Sequence, residues 1–284
     1  MSFIDNLKYK YKSGNIIEKL IYINVGVFLV TLILKVFSGL YKSNQNFVFE
    51  WFSLDDKLNI FISRPWSIIS YGFLHADFIH LLFNMITLYF IGNLFIQYFT
   101  QKQALTFYIL GTLFGGLFFM LSQNYFPLFD GESSRLVGAS AGVSAIFIGI
   151  VTYMPNYQIK IPLLGFLKLW HLAVIWLAFD FIGLIGANAG GSFSHLGGSL
   201  LGFLYVRQAS NKKINFSEIF SSLFKKKEKK LKTVYNSKRA KKTKPKTNSL
   251  NQEQVDQILD KISKVGFENL SDREKVLLEK YSKK

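Results

Sequence analysis

The sequence predicts an all-α membrane protein: a bundle of six transmembrane helices, a basic cytoplasmic tail and a short C-terminal helical hairpin. Three observations predict it. Half of the 284 residues are hydrophobic, and 29 of them are Phe. Charged residues make up 18%, against roughly 25% in soluble domains. The charge is also segregated: residues 1–208 hold 13 basic and 9 acidic side chains, residues 209–284 hold 21 and 9. An apolar body with a basic tail is the pattern of a membrane protein whose tail lies in the cytoplasm. The absence of Cys excludes disulfides, thiol catalysis and Cys-ligated metal.

A span needs about 20 apolar residues. The first run is Leu20–Phe37, behind Lys8, Lys10, Lys12 and Lys19. No small-residue cleavage site follows it, so it reads as a retained span rather than a signal peptide. Further spans are expected at Ile79–Phe99, Ala104–Leu121, Ser140–Met154, Leu167–Ala187 and Phe193–Val206, the fourth and sixth being short. An even number puts both termini on one side. The lysines of the N-terminal arm, Lys102, Lys160 and the tail share that side, so positive-inside logic makes it cytoplasmic. The loops Ser38–Phe78, Ser122–Ala139 and Asn188–Ser192 then face out. The first of them carries Trp51, Phe52, Trp66 and Phe73, rings suited to anchoring in the interface or to gating a site. The chain divides into an arm (1–19), the six-span body (20–208), a basic linker expected to be disordered (209–250) and a small helical module (251–284).

Polar residues at membrane depth are costly and therefore suspects for function. His80 and Asn84 share a face of span 2, being four apart. Ser140 opens span 4, Asp180 lies within span 5, and His195 lies near the start of span 6. Spans 2, 4 and 6 run in the same direction, so His80, Ser140 and His195 fall at similar depth on the outer side. Span 4 has about 15 residues before Pro155, roughly 22 Å of helix, and cannot cross a core of about 30 Å. The segment Asp130–Val137 should therefore dip into the membrane. Backbone of that kind is tolerated only where protein buries it or it lines a wet cavity. The expectation is a hydrated pocket with Ser140 on its floor.

The residues around Ser140 read Gly138-Ala139-Ser140-Ala141-Gly142. Gly-x-Ser-x-Gly marks a tight turn that exposes a nucleophile, and a helix N-terminus favours developing negative charge. A Ser hydroxyl needs a base. His195 sits one turn before Gly198 on the small-residue face completed by Gly202, which lets two helix backbones approach closely. Span 4, with Ala141, Gly142, Ser144, Ala145 and Gly149, is the expected partner. No Asp is expected to orient His195, so the unit reads as a Ser140–His195 dyad. His80 and Asn84 are then side-chain donors to an oxyanion. Asp180 is expected to hydrogen-bond inside the bundle, His171 to pack at the interface, His75 to serve the loop, and Asp77 to cap the helix holding His80. His171 is at the wrong end for a shared metal site, so no metal is expected.

These residues resemble the rhomboid family of intramembrane serine proteases. The resemblance covers about Ile21 to Arg207. It rests on the order and spacing of His80-x-x-x-Asn84, Gly138-Ala139-Ser140 and His195-x-x-Gly198-x-x-x-Gly202, with Arg64-Pro65-Trp66 and His75-Ala76 leading into span 2. It implies a six-helix bundle with cytoplasmic termini, a Ser140–His195 dyad, an oxyanion hole of His80, Asn84 and the Ser140 N–H, and no metal or cofactor. It also implies substrates that are transmembrane proteins, and a bacterial inner membrane as the location. Trp66 is followed by Ser67 and Ser140 by Ala141, where many relatives have Arg and Gly. Some relatives carry an aromatic residue four positions after the nucleophile, packed on the base; this chain has Ser144, which is expected to leave the base looser. A rhomboid-like protein that binds membrane clients without cutting them is the alternative. A small transporter ranks last, since paired half-repeats are missing.

The Lys-rich linker is expected to meet anionic lipid headgroups. With Tyr235 its one aromatic residue among the lysines, no nucleic acid is expected. Val255, Ile258, Leu259 and Ile262 have helical spacing, Gly266 breaks it, and Ser271-Asp272-Arg273-Glu274 is a capping-box pattern for a second helix. The hairpin weakly resembles a module appended to some bacterial rhomboids, and the partner expected for it is an unknown protein.

Overall fold

Short polar residues open several of the long helices. In the computed structural model, which describes residues 2–42, 46–131, 133–161, 165–210 and 252–282, Ser2 and Asp5 form a capping box at the start of α1 (Phe3–Ser13). Asn15 and Glu18 form another at α2 (Ile16–Leu40). Each supplies a side-chain acceptor to N–H groups that have no partner inside the helix. The described part of the loop expected to lie in the interface, from Asn46 on, is built of short elements. It holds α3 (Phe47–Phe52), β1 (Leu54–Asp55), α4 (Leu58–Ser63), α5 (Ser67–Ser70) and a 3-10 turn, Tyr71–Phe73. Trp51 and Trp66 stack with centroids 6.1 Å apart, and the Arg64 guanidinium lies 4.7 Å over the Trp51 ring.

Asp77 accepts from the His80 N–H at 2.8 Å and caps α6 (Phe78–Tyr98). Thr100 and Gln103 form the capping box of α7 (Gln101–Tyr125). Next come β2 (Arg135–Leu136), α8 (Ser140–Tyr153), the hairpin β3 (Gln158–Ile161) and β4 (Gly165–Lys168), α9 (Leu169–Gly183) and α10 (Ala189–Ser210). Helices α2, α6 and α7 are long and apolar enough to cross a membrane; α8 and α9 are apolar but shorter, with 14 and 15 residues. Their outward residues are large and apolar, Leu29 and Phe37 on α2, Phe83 and Phe90 on α6, Phe179 and Ile182 on α9. A helical membrane bundle needs that inversion. The core between them is Leu88, Phe95, Phe107, Tyr108, Ile146 and Ile150, with Leu201 from α10.

Two boundaries differ from expectation. The fifth apolar run was expected over Leu167–Ala187, yet Gly165–Lys168 pairs with Gln158–Ile161 in antiparallel register and the helix covers only Leu169–Gly183. The stretch Asn188–Ser192, expected as an outer loop, is mostly the first turn of α10, whose Ser192 N–H donates to the Asn188 carbonyl at 3.1 Å. Its Ala189-Gly190-Gly191 is too small to register as an apolar run.

The chain separates into two units, Met1–Lys225 and Lys226–Lys284. Beyond Ser210, the basic linker lies outside the described residues. The second unit contains α11 (Gln252–Val265) and α12 (Asp272–Ser282), the expected helical hairpin. Gly266 has φ +84 at the break, a left-handed conformation that favours glycine. Val255, Ile258 and Leu270 form its small apolar interior. Both the N–H and the hydroxyl of Ser271 donate to Glu274 Oε2 at 2.8 Å. Lys261 reaches the same carboxylate at 2.9 and 3.1 Å, and with Ser271 holds it down to about 2. The folded value lies below the ordinary 4.5, so this contact is complete above the carboxylate range and fades as pH falls toward about 2. Titration of Glu274 by NMR is expected to show that midpoint, and Lys261→Met to move it back toward the ordinary value.

Candidate active site

Helix α8 is buried in an unbroken run from Ala141 to Val151. A helix that is apolar all round belongs in the middle of a bundle, and α8 packs against α6, α7 and α10. Small residues set the spacing. A β-carbon at Gly198 would run into the Ala141 carbonyl, and one at Gly202 into the Ala145 carbonyl. A β-carbon at Gly115 of α7 would run into the Ala141 side chain. Three backbones therefore meet at the first turn of α8, where Ser140 is the first helical residue.

The segment ahead of Ser140 is tied down in several places. Leu136 pairs with Leu54 and Arg135 with Asp55 in the β1–β2 ladder. Asp56 accepts from the Ser134 N–H at 3.0 Å, and Arg135 Nε lies 3.2 Å from Asp55. The Gly138 N–H donates to the Tyr71 carbonyl at 3.0 Å, and the Tyr71 hydroxyl donates to the Thr112 carbonyl at 2.7 Å. Gly138 has φ +132; a β-carbon there would lie 2.8 Å from His80 Nε2 and 3.4 Å from Ser140 Oγ. Glycine is what lets the backbone turn while imidazole and hydroxyl close in from either side.

A cavity of about 760 Å³ opens at this point, lined by His80, Ser140 and His195. They come from the first turns of α6 and α8 and the second turn of α10. Asp77, Gln123 and the loop Ser133–Val137 form more of its wall, so the space is polar enough for water. Ser140 and His195 share the cavity, and among the described residues no direct hydrogen bond joins them. Contacts of this type often close only when substrate arrives. Asn84 is not among the lining residues. It is buried one turn below His80, and its Nδ2 donates to the His80 carbonyl at 3.0 Å.

The expectation that no Asp orients His195 is wrong. Asp180 Oδ1 lies 2.7 Å from His195 Nδ1. The sequence placed Asp180 well inside a long fifth span; because α9 ends at Gly183, Asp180 is in its last turn, level with the start of α10. One turn earlier on α9, Trp176 Nε1 donates to Ser144 Oγ at 3.2 Å, and the Trp176 ring lies 6.4 Å from the His195 ring. Ser144 is thus met by a tryptophan from another helix, whose ring lies near the His195 imidazole. Nothing in the spacing of the sequence singled out Trp176 from the apolar residues around it.

His75 is more than a loop residue. It is 2% exposed, with its ring edge-on to His80 at 5.1 Å. Burial, reinforced by the neighbouring His80, pushes its imidazole down to about 3, so it backs the cavity as a neutral ring. His171 Nδ1 accepts from the Lys168 N–H at 3.3 Å at the start of α9, away from the cavity.

The rhomboid domain model matches residues 63–211, which include all of these cavity residues. A family of unknown function (DUF6576) matches residues 229–284. The RHOMBOID-like protein 12, mitochondrial, of Arabidopsis thaliana is 28% identical over 196 residues, covering 65% of this chain. The chain spans 55% of the length of that relative.

Proposed function

The chain belongs to the rhomboid family, and on that premise we propose that it is an intramembrane serine endopeptidase that cuts membrane proteins in or near a transmembrane segment. The observation that supports this most is one cavity lined by Ser140, at the first residue of a buried helix, and by two histidines from neighbouring helices. The charge pattern supports six spans with both termini in the cytoplasm and the cavity toward the outer face. The Lys-rich segment after α10 is then suited to anionic headgroups on the cytoplasmic leaflet.

Ser140 Oγ adds to the scissile carbonyl carbon as His195 Nε2 takes the hydroxyl proton. The oxyanion is met by the Ser140 N–H at the positive end of α8 and by the side chain of His80, with Asn84 bracing the His80 backbone from the turn below. Collapse breaks the C–N bond, and His195 passes its proton to the leaving amine. Water then adds to the acyl ester, His195 takes a proton from it, and returning that proton to Oγ frees the carboxylate product.

The test uses purified protein, a model transmembrane substrate and a fluorophosphonate probe. Wild type is expected to cleave and to be labelled at Ser140. Ser140→Ala and His195→Ala are expected to lose cleavage by a factor of about 10³ or more. Equal cleavage by the variants overturns the assignment. A wild type that retains a membrane client without cleavage or labelling makes this a client-binding rhomboid protein instead.

A further inference from the structure

We propose that Asp180 is a positioning residue for His195, so that the Ser140–His195 pair works with a third, carboxylate member supplied by α9. The inference rests on the protease reading and deepens it. Helix α9 turns Leu169, Ala173 and Asp180 inward and its other side chains largely outward, so the carboxylate points into the bundle on the one buried face available. Its side chain is 8% exposed and its hydrogen bond goes to His195 Nδ1, at 2.7 Å. The other oxygen, Oδ2, is buried with no hydrogen-bond partner. Burying a carboxylate is costly unless it is paired, and among the described residues this one is paired with the imidazole alone.

The chemistry follows from the acceptor. An ionised carboxylate only accepts, so the hydrogen of a neutral His195 ring sits on Nδ1 and the lone pair on Nε2. Nε2 is then the free atom for the Ser140 proton. When His195 becomes an imidazolium during attack, Asp180 lies against the new charge. Trp176, four residues before Asp180 and hydrogen-bonded to Ser144, limits sideways motion of the same ring. Both constraints come from one face of α9.

The experiment compares wild type, Asp180→Ala and Asp180→Asn by two readouts: the fraction of molecules that fluorophosphonate finally labels, and the labelling rate of that fraction. Steady-state cleavage supplies kcat and KM. Asn keeps the size of the side chain and removes its charge. A positioning role is expected to leave the labelled fraction and KM near wild type, while labelling rate and kcat fall about 10²-fold or more in both variants. A purely structural role lowers the labelled fraction and leaves the rate of the surviving molecules intact, which overturns the proposal. Rates within twofold of wild type in both variants also overturn it. Absence of labelling in wild type would instead remove the protease reading, and this proposal with it.

Discussion

Replacing Gly198 with Leu is expected to abolish labelling of Ser140 and to lower the thermal midpoint in detergent by several degrees. The obstacle at this position is the Ala141 carbonyl, which belongs to the backbone of α8 and cannot rotate aside as a side chain does. Overpacking of a core costs about 1–3 kcal/mol, and a rigid obstacle places this change at the upper end. The functional loss is larger than the stability loss, because α10 carries His195 one turn before the wedge. A shift of α10 away from α8 takes the base away from the hydroxyl, and a misplacement of about 1 Å is enough to cost roughly 10²-fold in rate. Gly39→Leu is the control: a β-carbon there meets nothing within 4 Å, and activity and midpoint are expected to stay near wild type. Equal behaviour of the two variants would remove the close α8–α10 approach as a requirement.

Gly138→Ala is expected to lower kcat/KM about 10²-fold with a smaller change in midpoint. Two effects coincide. The backbone at φ +132 is unfavourable for any residue with a β-carbon, at about 1–3 kcal/mol. The new carbon would also lie 2.8 Å from His80 Nε2, so the imidazole must move from its place beside Ser140. Gly131 separates the two effects. It too has positive φ, +85, with open space around it. Gly131→Ala carries strain alone and is expected to retain most of the activity; an equal loss at both positions would assign the effect to strain rather than to His80.

How far the sequence reaches can be judged residue by residue. The middle apolar runs were located to within a few positions, because apolar length over a span is a local property. His80, Ser140 and His195 stood out as polar atoms in apolar surroundings, and the alternation of helix direction is enough to bring the starts of α6, α8 and α10 together. Asp77 was legible as a cap because capping is decided within three residues. The pairing of Asp180 with His195 was not legible, since it depends on where α9 stops, at Gly183; the β3–β4 hairpin, which sets where α9 begins, was missed as well. The hairpin itself is four residues a side, with no alternation strong enough to separate it from the helix that follows. Trp176 was hidden for a different reason: an indole that packs on an imidazole has the same composition signature as one that faces lipid.

The 14 residues of α8 amount to roughly 21 Å in a hydrocarbon layer of about 30 Å. On the protease reading proposed above, the helix would work as a depth gauge, setting how far below the water boundary a peptide bond must be delivered to be cut. A thicker bilayer sinks that level relative to the surface and a thinner one raises it. The same enzyme would then choose different bonds, and different clients, according to the lipids around it.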